Sequence, residues 1–279
     1  MFGCKNWKQN DSINRAILMK IPIFQVDAFT SQLFKGNPAA VCMLDEWLSD
    51  EQMLNIAKEN NLAETAFCKA EGAGYAIKWF TPEIEMDLCG HATLATAHVL
   101  FQAYIPAENE VIFQSNSGPL KVSREGALYR MDFPSRMPHP TPLTGLILEG
   151  IGKAPLEVYK ARDYVLLYET QADIEAIMPD QALLNTINLD PGGIIVTAPG
   201  NEVDFVSRFF TPQASIFEDP VTGSAHCSLI PFWAKRLKKD KLLAQQLSDR
   251  GGTLYCENVG DRVWISGEAV TFLKGTIYL

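Results

Sequence analysis

Hydrophobic and polar positions alternate in short runs along most of this chain, broken in two places by long stretches without charge. The first eighteen residues, MFGCKNWKQNDSINRAILMK up to Leu18, are polar and carry no period, so residues 1–18 are expected to be an extension outside the fold. From Met19 the segment MKIPIFQVDAFT alternates with a period of two, predicting strand over Phe24 to Phe29; Ala39 to Met43 predicts a second strand after the turn LFKGNP. Ser49, with Gln52 three residues on, has the form of a capping box, and SDEQMLNIAKENN continues as an amphipathic helix. ETAFCKA and YAIKWFT read as strands, as do Val111 to Gln114, Leu120 to Val122 and Leu128 to Phe133. Pro134 to Pro142 reads as a linker. Beyond it YVLLY, GIIVTAP, VDFVSRFF, TLYCENV, RVWISG and TFLKGTIYL predict strands and ADIEAIMPD a helix.

The two uncharged stretches run from Gly90 to Ala107 and from Pro220 to Ala234. Ala92 to Phe101 is apolar on every side, which predicts a helix buried on every side. Each stretch follows a matching approach: KWFTPEIEMDLCGHATLATAHVL in one half, RFFTPQASIFEDPVTGSAHCSLI in the other. Both begin with an aromatic residue followed by Phe-Thr-Pro. Seven residues past each proline stands Cys89 or Asp219, followed within four residues by glycine. An internal duplication accounts for this, with two similar halves facing each other: residues 19–133 and 134–279, the last strand returning to the first half.

A buried helix leaves its first amides unpaired and its dipole positive at that end. Glycine there lets a ligand approach the bare N–H groups. CGHAT and TGSAH supply two such mouths, at Gly90-His91-Ala92 and Gly223-Ser224-Ala225, and two mouths sharing one cleft would grip a carboxylate. Glu64, set in NNLAETAF among Leu62, Ala63, Ala66 and Phe67, is the candidate proton carrier, because apolar surroundings raise a carboxyl pKa towards neutrality.

Taken in order, FQVDAFT, GNPAAV, LAETAF, WFTPEIEMDLCGHATLA, RMDFP, FEDPVTGSAH and DRGG…GDRVWISGEAV resemble the PhzF (phenazine biosynthesis-like) family from about Lys20 onwards. The resemblance implies a diaminopimelate-epimerase-like α+β fold: two pseudo-symmetric domains, each a curved sheet around a central helix, with the active site between them. It implies a cofactor-independent isomerase that moves a proton by acid/base catalysis on a small carboxylate substrate, in a homodimer. By motif, Glu64 would be the principal acid/base, with His91 and Asp219 assisting; Cys89, Gly90, Ala92, Gly223 and Ser224 would hold the substrate. Members of the phenazine pathway tend to have serine where this chain has Ala63, which points to a different small carboxylate.

Composition narrows the alternatives. A net charge of −9 lacks the basic face that nucleic acid requires. The cluster Lys235, Arg236, Lys238, Lys239 and Lys241 reads as the wet side of a helix ending near Arg250. No apolar run reaches ~18 residues, so no membrane span is expected. The six cysteines form no C-x-x-C pair, as in a reduced cytoplasmic protein. No nucleotide fingerprint occurs. Cys89, His91 and His98 lack zinc-site spacing, so no metal is expected and His98 reads as a core histidine. A Cys89–His91 hydrolase pairs positions that do not face each other. A two-thiol racemase or epimerase would use Cys89, but Asp219 stands at the duplicated turn. A non-catalytic small-ligand binder is the remaining alternative.

Overall fold

A computed structural model describes residues 19–189, 192–212, 214 and 216–279. The extension expected over 1–18, with Cys4, lies outside the described residues.

The first half opens with β1 (Lys20–Ala28) antiparallel to β2 (Asn37–Leu44). Helix α1 (Asp50–Asn60) returns the chain so that β3 (Glu64–Glu71) runs parallel to β2. The Ser49 hydroxyl accepts the Gln52 amide and the Gln52 side chain accepts the Ser49 amide, closing the expected capping box. A tight turn at Gly72 (φ 58°) leads to β4 (Gly74–Phe80), which carries the two-residue β5 (Glu85–Met86) on its edge. Next come α2 (Gly90–Val99), wound on through a wider turn over Leu100–Tyr104, and then β6 (Glu110–Ser115), β7 (Gly118–Glu125) and β8 (Leu128–Pro134).

The second half holds β9 (His139–Pro140), α3 (Gly145–Ile151), β10 (Glu157–Lys160), β11 (Tyr164–Leu167), α4 (Gln171–Glu175) and α5 (Gln181–Leu184). It continues through β12 (Ile194–Pro199), β13 (Phe205–Phe210), α6 (Gly223–Leu237), β14 (Lys241–Gln246), β15 (Gly252–Val259) and β16 (Arg262–Gly267). The duplication is visible in the ladders. In the first half β1 to β4, then β6 to β8, pair in the succession antiparallel, parallel, antiparallel, parallel, antiparallel, antiparallel. In the second, β10 to β16 repeat that succession without change. β8 and β16 then pair antiparallel and fuse the halves. The last strand, β17 (Ala269–Tyr278), crosses back to pair with β1.

Each curved half wraps a helix. Every residue of α2 from His91 to Val99 is buried. Burying a side chain such as Leu94 contributes about 1.5–3 kcal/mol. Its threonines satisfy their hydroxyls within the helix, Thr93 on the Cys89 carbonyl at 2.6 Å and Thr96 on the Ala92 carbonyl at 2.7 Å. His98 is held at both nitrogens, by the Tyr129 hydroxyl at 2.9 Å and the Thr271 hydroxyl at 2.8 Å. In α6, Gly223 to Ala234 are buried apart from Ser224, and Pro231 is accommodated inside the helix.

Two expectations are corrected. The helix expected to run to near Arg250 stops at Leu237, because Lys238 turns left-handed (φ 53°); Lys241–Gln246 is a strand whose residues alternate in burial. Its KLLAQQ pattern has the period of a strand, so the lysines belong to two elements. The proline-rich segment carries a pairing of its own, His139 and Pro140 adding to the edge of β10. Among the described residues no helix is long and apolar enough to cross a membrane.

At the junction Phe29 is fully buried with φ 63°, its carbonyl accepting the Thr253 amide at 3.0 Å. A Cβ added to Gly267 would fall 2.4 Å from Cδ1 of that ring and 3.3 Å from its Cα. Gly267→Ala is therefore expected to cost about 1–3 kcal/mol, read as a lower denaturant midpoint at unchanged m-value.

Candidate functional site

The two helix mouths meet. A Cβ added to Gly90 would lie 3.7 Å from the Cα of Gly223. Neither glycine has a positive φ; their lack of a side chain is what opens the mouths. The amides of Gly90, His91, Gly223 and Ser224 have no acceptor among the described residues, so four donors face a cavity of about 820 Å³ between the halves.

The duplication carries a slip at this point. Cys89 precedes α2 and Thr222 precedes α6. The structural partner of Cys89 is thus Thr222, although the Phe-Thr-Pro register aligned it with Asp219. The second turn is three residues longer, and those residues bring Asp219 into the site. Arg208 anchors this longer turn: its Nε and Nη2 donate to the two oxygens of Glu218 at 2.7 and 2.8 Å, and Nη1 to the Ile177 carbonyl at 2.7 Å.

Glu64 begins β3 at the cavity wall, its Oε2 standing 3.2 Å from Nε2 of His91. The contact is a close approach and not an aligned hydrogen bond, since Nε2 is buried without an acceptor in line. Burial, and then the charge of Asp219, push the Glu64 carboxyl up to about 8; a hydrogen bond from Cys89 works the other way. Burial likewise raises Asp219 to about 6, against hydrogen bonds from Thr222 and Asn37. Burial lowers His91 to about 3, so the ring is neutral. Cys89 is pushed well above 9 by burial and by the charge of Glu64, and stays a thiol.

Asn37 organises this group. Its Nδ2 lies 2.7 Å from Oδ1 of Asp219, 2.9 Å from the Val221 carbonyl and 3.2 Å from Nδ1 of His91. The carbonyl and carboxylate only accept, so the amide orientation is fixed by its neighbours. His91 then accepts at Nδ1 and carries its proton on Nε2, towards Glu64. Asp219 is completed by the Thr222 hydroxyl at 2.5 Å, and Gln246 ties the turn by donating to the Asp219 carbonyl at 2.7 Å and accepting the Thr222 amide at 2.9 Å.

The structure thus brings Glu64, Cys89, Gly90, His91, Asp219, Gly223 and Ser224 to one cavity. Ala92 is the exception: it is fully buried behind the mouth, and its amide is turned to the Cys89 sulfur. Sequence reasoning missed Asn37, Gln246, Arg136 and Arg162. Asn37 lay inside the motif GNPAAV but read as a turn residue. Glu64, Cys89 and His91 also present one ligand atom each within 4.8 Å of one another, a set able to hold a metal ion once the thiol is deprotonated. His98, held by its own partners, has no part in it.

A carboxyl whose pKa rises on folding binds its proton more tightly in the native state. Its contribution to stability is complete below about 4.5 and is lost as pH climbs through about 8. Glu64→Gln removes that loss. Its unfolding free energy is expected to gain on the parent as pH rises from 5 to 8 and to level off above, by a few kcal/mol in all, with Tm moving in the same direction; a pH-independent difference in thermal scans would contradict the assignment.

The chain is similar over nearly its whole length to known proteins. An uncharacterized isomerase of Pseudomonas aeruginosa is 49% identical over 261 residues, covering 94% of this chain and 100% of the relative. A crystal structure of a phenazine biosynthesis protein of the PhzF family from Enterococcus faecalis superposes with a TM-score of 0.90 at 50% identity, over 94% of this chain and 100% of that one. A hydroxyproline epimerase from Agrobacterium vitis shares the fold alone, with a TM-score of 0.61 at 9% identity over 93% of each chain. Relatives sharing 45–50% identity over their whole length are named isomerases, which supports that class of chemistry for this chain. Residues 26–275 match the family described as phenazine biosynthesis-like protein, and the chain belongs to that family.

Proposed function

We propose that the protein is a cofactor-independent isomerase that moves a proton between two carbons of a small carboxylic acid, with Glu64 as the carrier. One observation supports this above the others: a buried carboxyl with its pKa near 8 stands at a cavity into which two helix mouths open.

The substrate carboxylate sits on the amides of Gly90, His91, Gly223 and Ser224. When a proton leaves the neighbouring carbon, negative charge builds on that carboxylate, where fixed donors and two helix dipoles stabilise it. Glu64, ionised, takes the proton; burial favours its neutral form, and it returns the proton to a different carbon on the same face. Proton and electron pair stay within substrate and enzyme, so no oxidant is needed. His91 does not shuttle protons through an imidazolium. As a neutral ring it lies with Nε2 3.2 Å from the Glu64 carboxyl, where its N–H dipole steadies the carboxylate without an aligned hydrogen bond. Asp219, held by Asn37 and Thr222, is too close to Glu64 for both to ionise freely, and the pair titrates as a unit. Ala63 lines the cavity next to Glu64, where a serine hydroxyl would be a polar contact, so the acid differs there from the phenazine precursor.

The two-thiol racemase reading is weaker, because the second mouth offers Thr222 where the first has Cys89. Cys227 lies a turn inside α6, and burial pushes its thiol up to about 11.

In D2O, with dihydro-hydroxyanthranilate and a panel of β,γ-unsaturated acids, the parent is expected to exchange carbon-bound hydrogen into at least one compound. Glu64→Gln should lose 10²-fold or more of that exchange, while Cys89→Ser stays within about tenfold. Loss in Cys89→Ser equal to that in Glu64→Gln would favour the thiol mechanism, and tight binding without exchange would favour a binder. The kcat/KM of the free enzyme should rise with pH through about 8, as Glu64 ionises.

A further inference from the structure

The cavity is far larger than a single carboxylate requires, and its lining carries charges of both signs. Its lining includes Glu83, Glu85 and Asp87 from the first half and Arg136 and Arg162 from the second. Arg162 is part-neutralised by Asp163, its Nε 3.3 Å from Oδ1. Arg136 feels the charge of Asp163 only at longer range: among the described residues its guanidinium donates no hydrogen bond and makes no ion pair within 4 Å. Its backbone is fixed, the amide donating to the Cys227 carbonyl at 2.9 Å. Cys227 lies four residues into α6 from Gly223, which is about 6 Å along the helix axis. The main chain of Arg136 therefore meets α6 about one helical turn from the amides that receive the first carboxylate, and its charge acts on the Cys227 thiol there.

We propose that the substrate is a dianion: its reacting carboxylate lies on the helix mouths and a second anionic group, about one helical turn away, is held by Arg136 with Arg162 beside it. An unpaired guanidinium facing a cavity is a planar fork of donors matched to a carboxylate or phosphate. The acidic side chains of the first half repel the same group, so the cavity orients the molecule as well as binding it. This inference rests on the carboxylate-at-the-mouths reading given above.

The test uses the full chain and four probes of defined chemistry: glutarate and adipate, whose carboxylates span about one helical turn, and their monomethyl esters, titrated by calorimetry. The expected result is that a diacid binds at least about tenfold more tightly than its ester. Arg136→Gln should erase that difference while leaving ester affinity within about twofold, and Arg136→Lys should retain part of it. Gly223→Ala, whose methyl group intrudes on the mouth, should weaken diacid and ester alike. Equal affinity of diacid and ester for the parent, or a preference that survives Arg136→Gln, overturns the dianion while leaving the mouth reading intact. Absence of binding by all four, or binding indifferent to Gly223→Ala, overturns the mouth reading and the dianion with it.

Discussion

A single buried amide joins the two halves at the reacting centre. Asn37 has two hydrogens and three acceptors within reach, drawn from Asp219, Val221 and His91. Two of those acceptors belong to the second half and one to the first. A neutral donor suits this position, because the carboxylate it serves is buried and every charge added there would demand a partner. The amide keeps Asp219 in place, fixes the proton of His91 on the nitrogen nearest Glu64, and has its own position set from outside. Arg250 grips Asp27 at 2.7 Å and the Gly36 carbonyl at 2.8 Å, while the Phe34 amide donates to Asp27 at 2.9 Å. The loop ahead of Asn37 is thus tied to both halves before it reaches the cavity.

The electrostatics follow from that frame. Two carboxyls sit where water is scarce, and the ring between them is too deeply buried to become a cation. The usual means of keeping such acids ionised, a nearby lysine or arginine, is absent from their described contacts, so Asp219 is raised to about 6 and Glu64, at about 8, holds its proton at neutral pH. A carbon acid requires this of its base, which must accept a proton without becoming so weak an acid that it cannot give the proton back.

Much of this was legible in the chain. The capping box at Ser49 and Gln52, the strand periods, the two uncharged helices and the Phe-Thr-Pro repeat all depend on local patterning, which sequence carries directly. Glu64 stood out because its immediate neighbours are apolar. What escaped was convergence: Asn37, Arg136, Arg162 and Gln246 come from four separate connections or strand ends, and no period links them. Lys238 escaped for a different reason, since a left-handed residue at a helix end is normally marked by glycine or asparagine and here is not. The aligned repeat also misled in one detail. A three-residue lengthening lies inside the second turn, where side chains and not backbone pattern decide which residue faces which.

The crossing of β17 back to β1 bears on how the first half folds. β1 lies between β2 and β17, and its partner β17 is about 250 residues further along. Until that last strand arrives, β1 has one bare edge in an otherwise assembled half, and the ring of His98 lacks its Thr271 partner. On a ribosome adding residues at about 5–20 per second, that edge waits many seconds for closure. Such long-range pairing is slow and leaves strands open to the wrong neighbours. Completion of the first half therefore waits until the second half has been made.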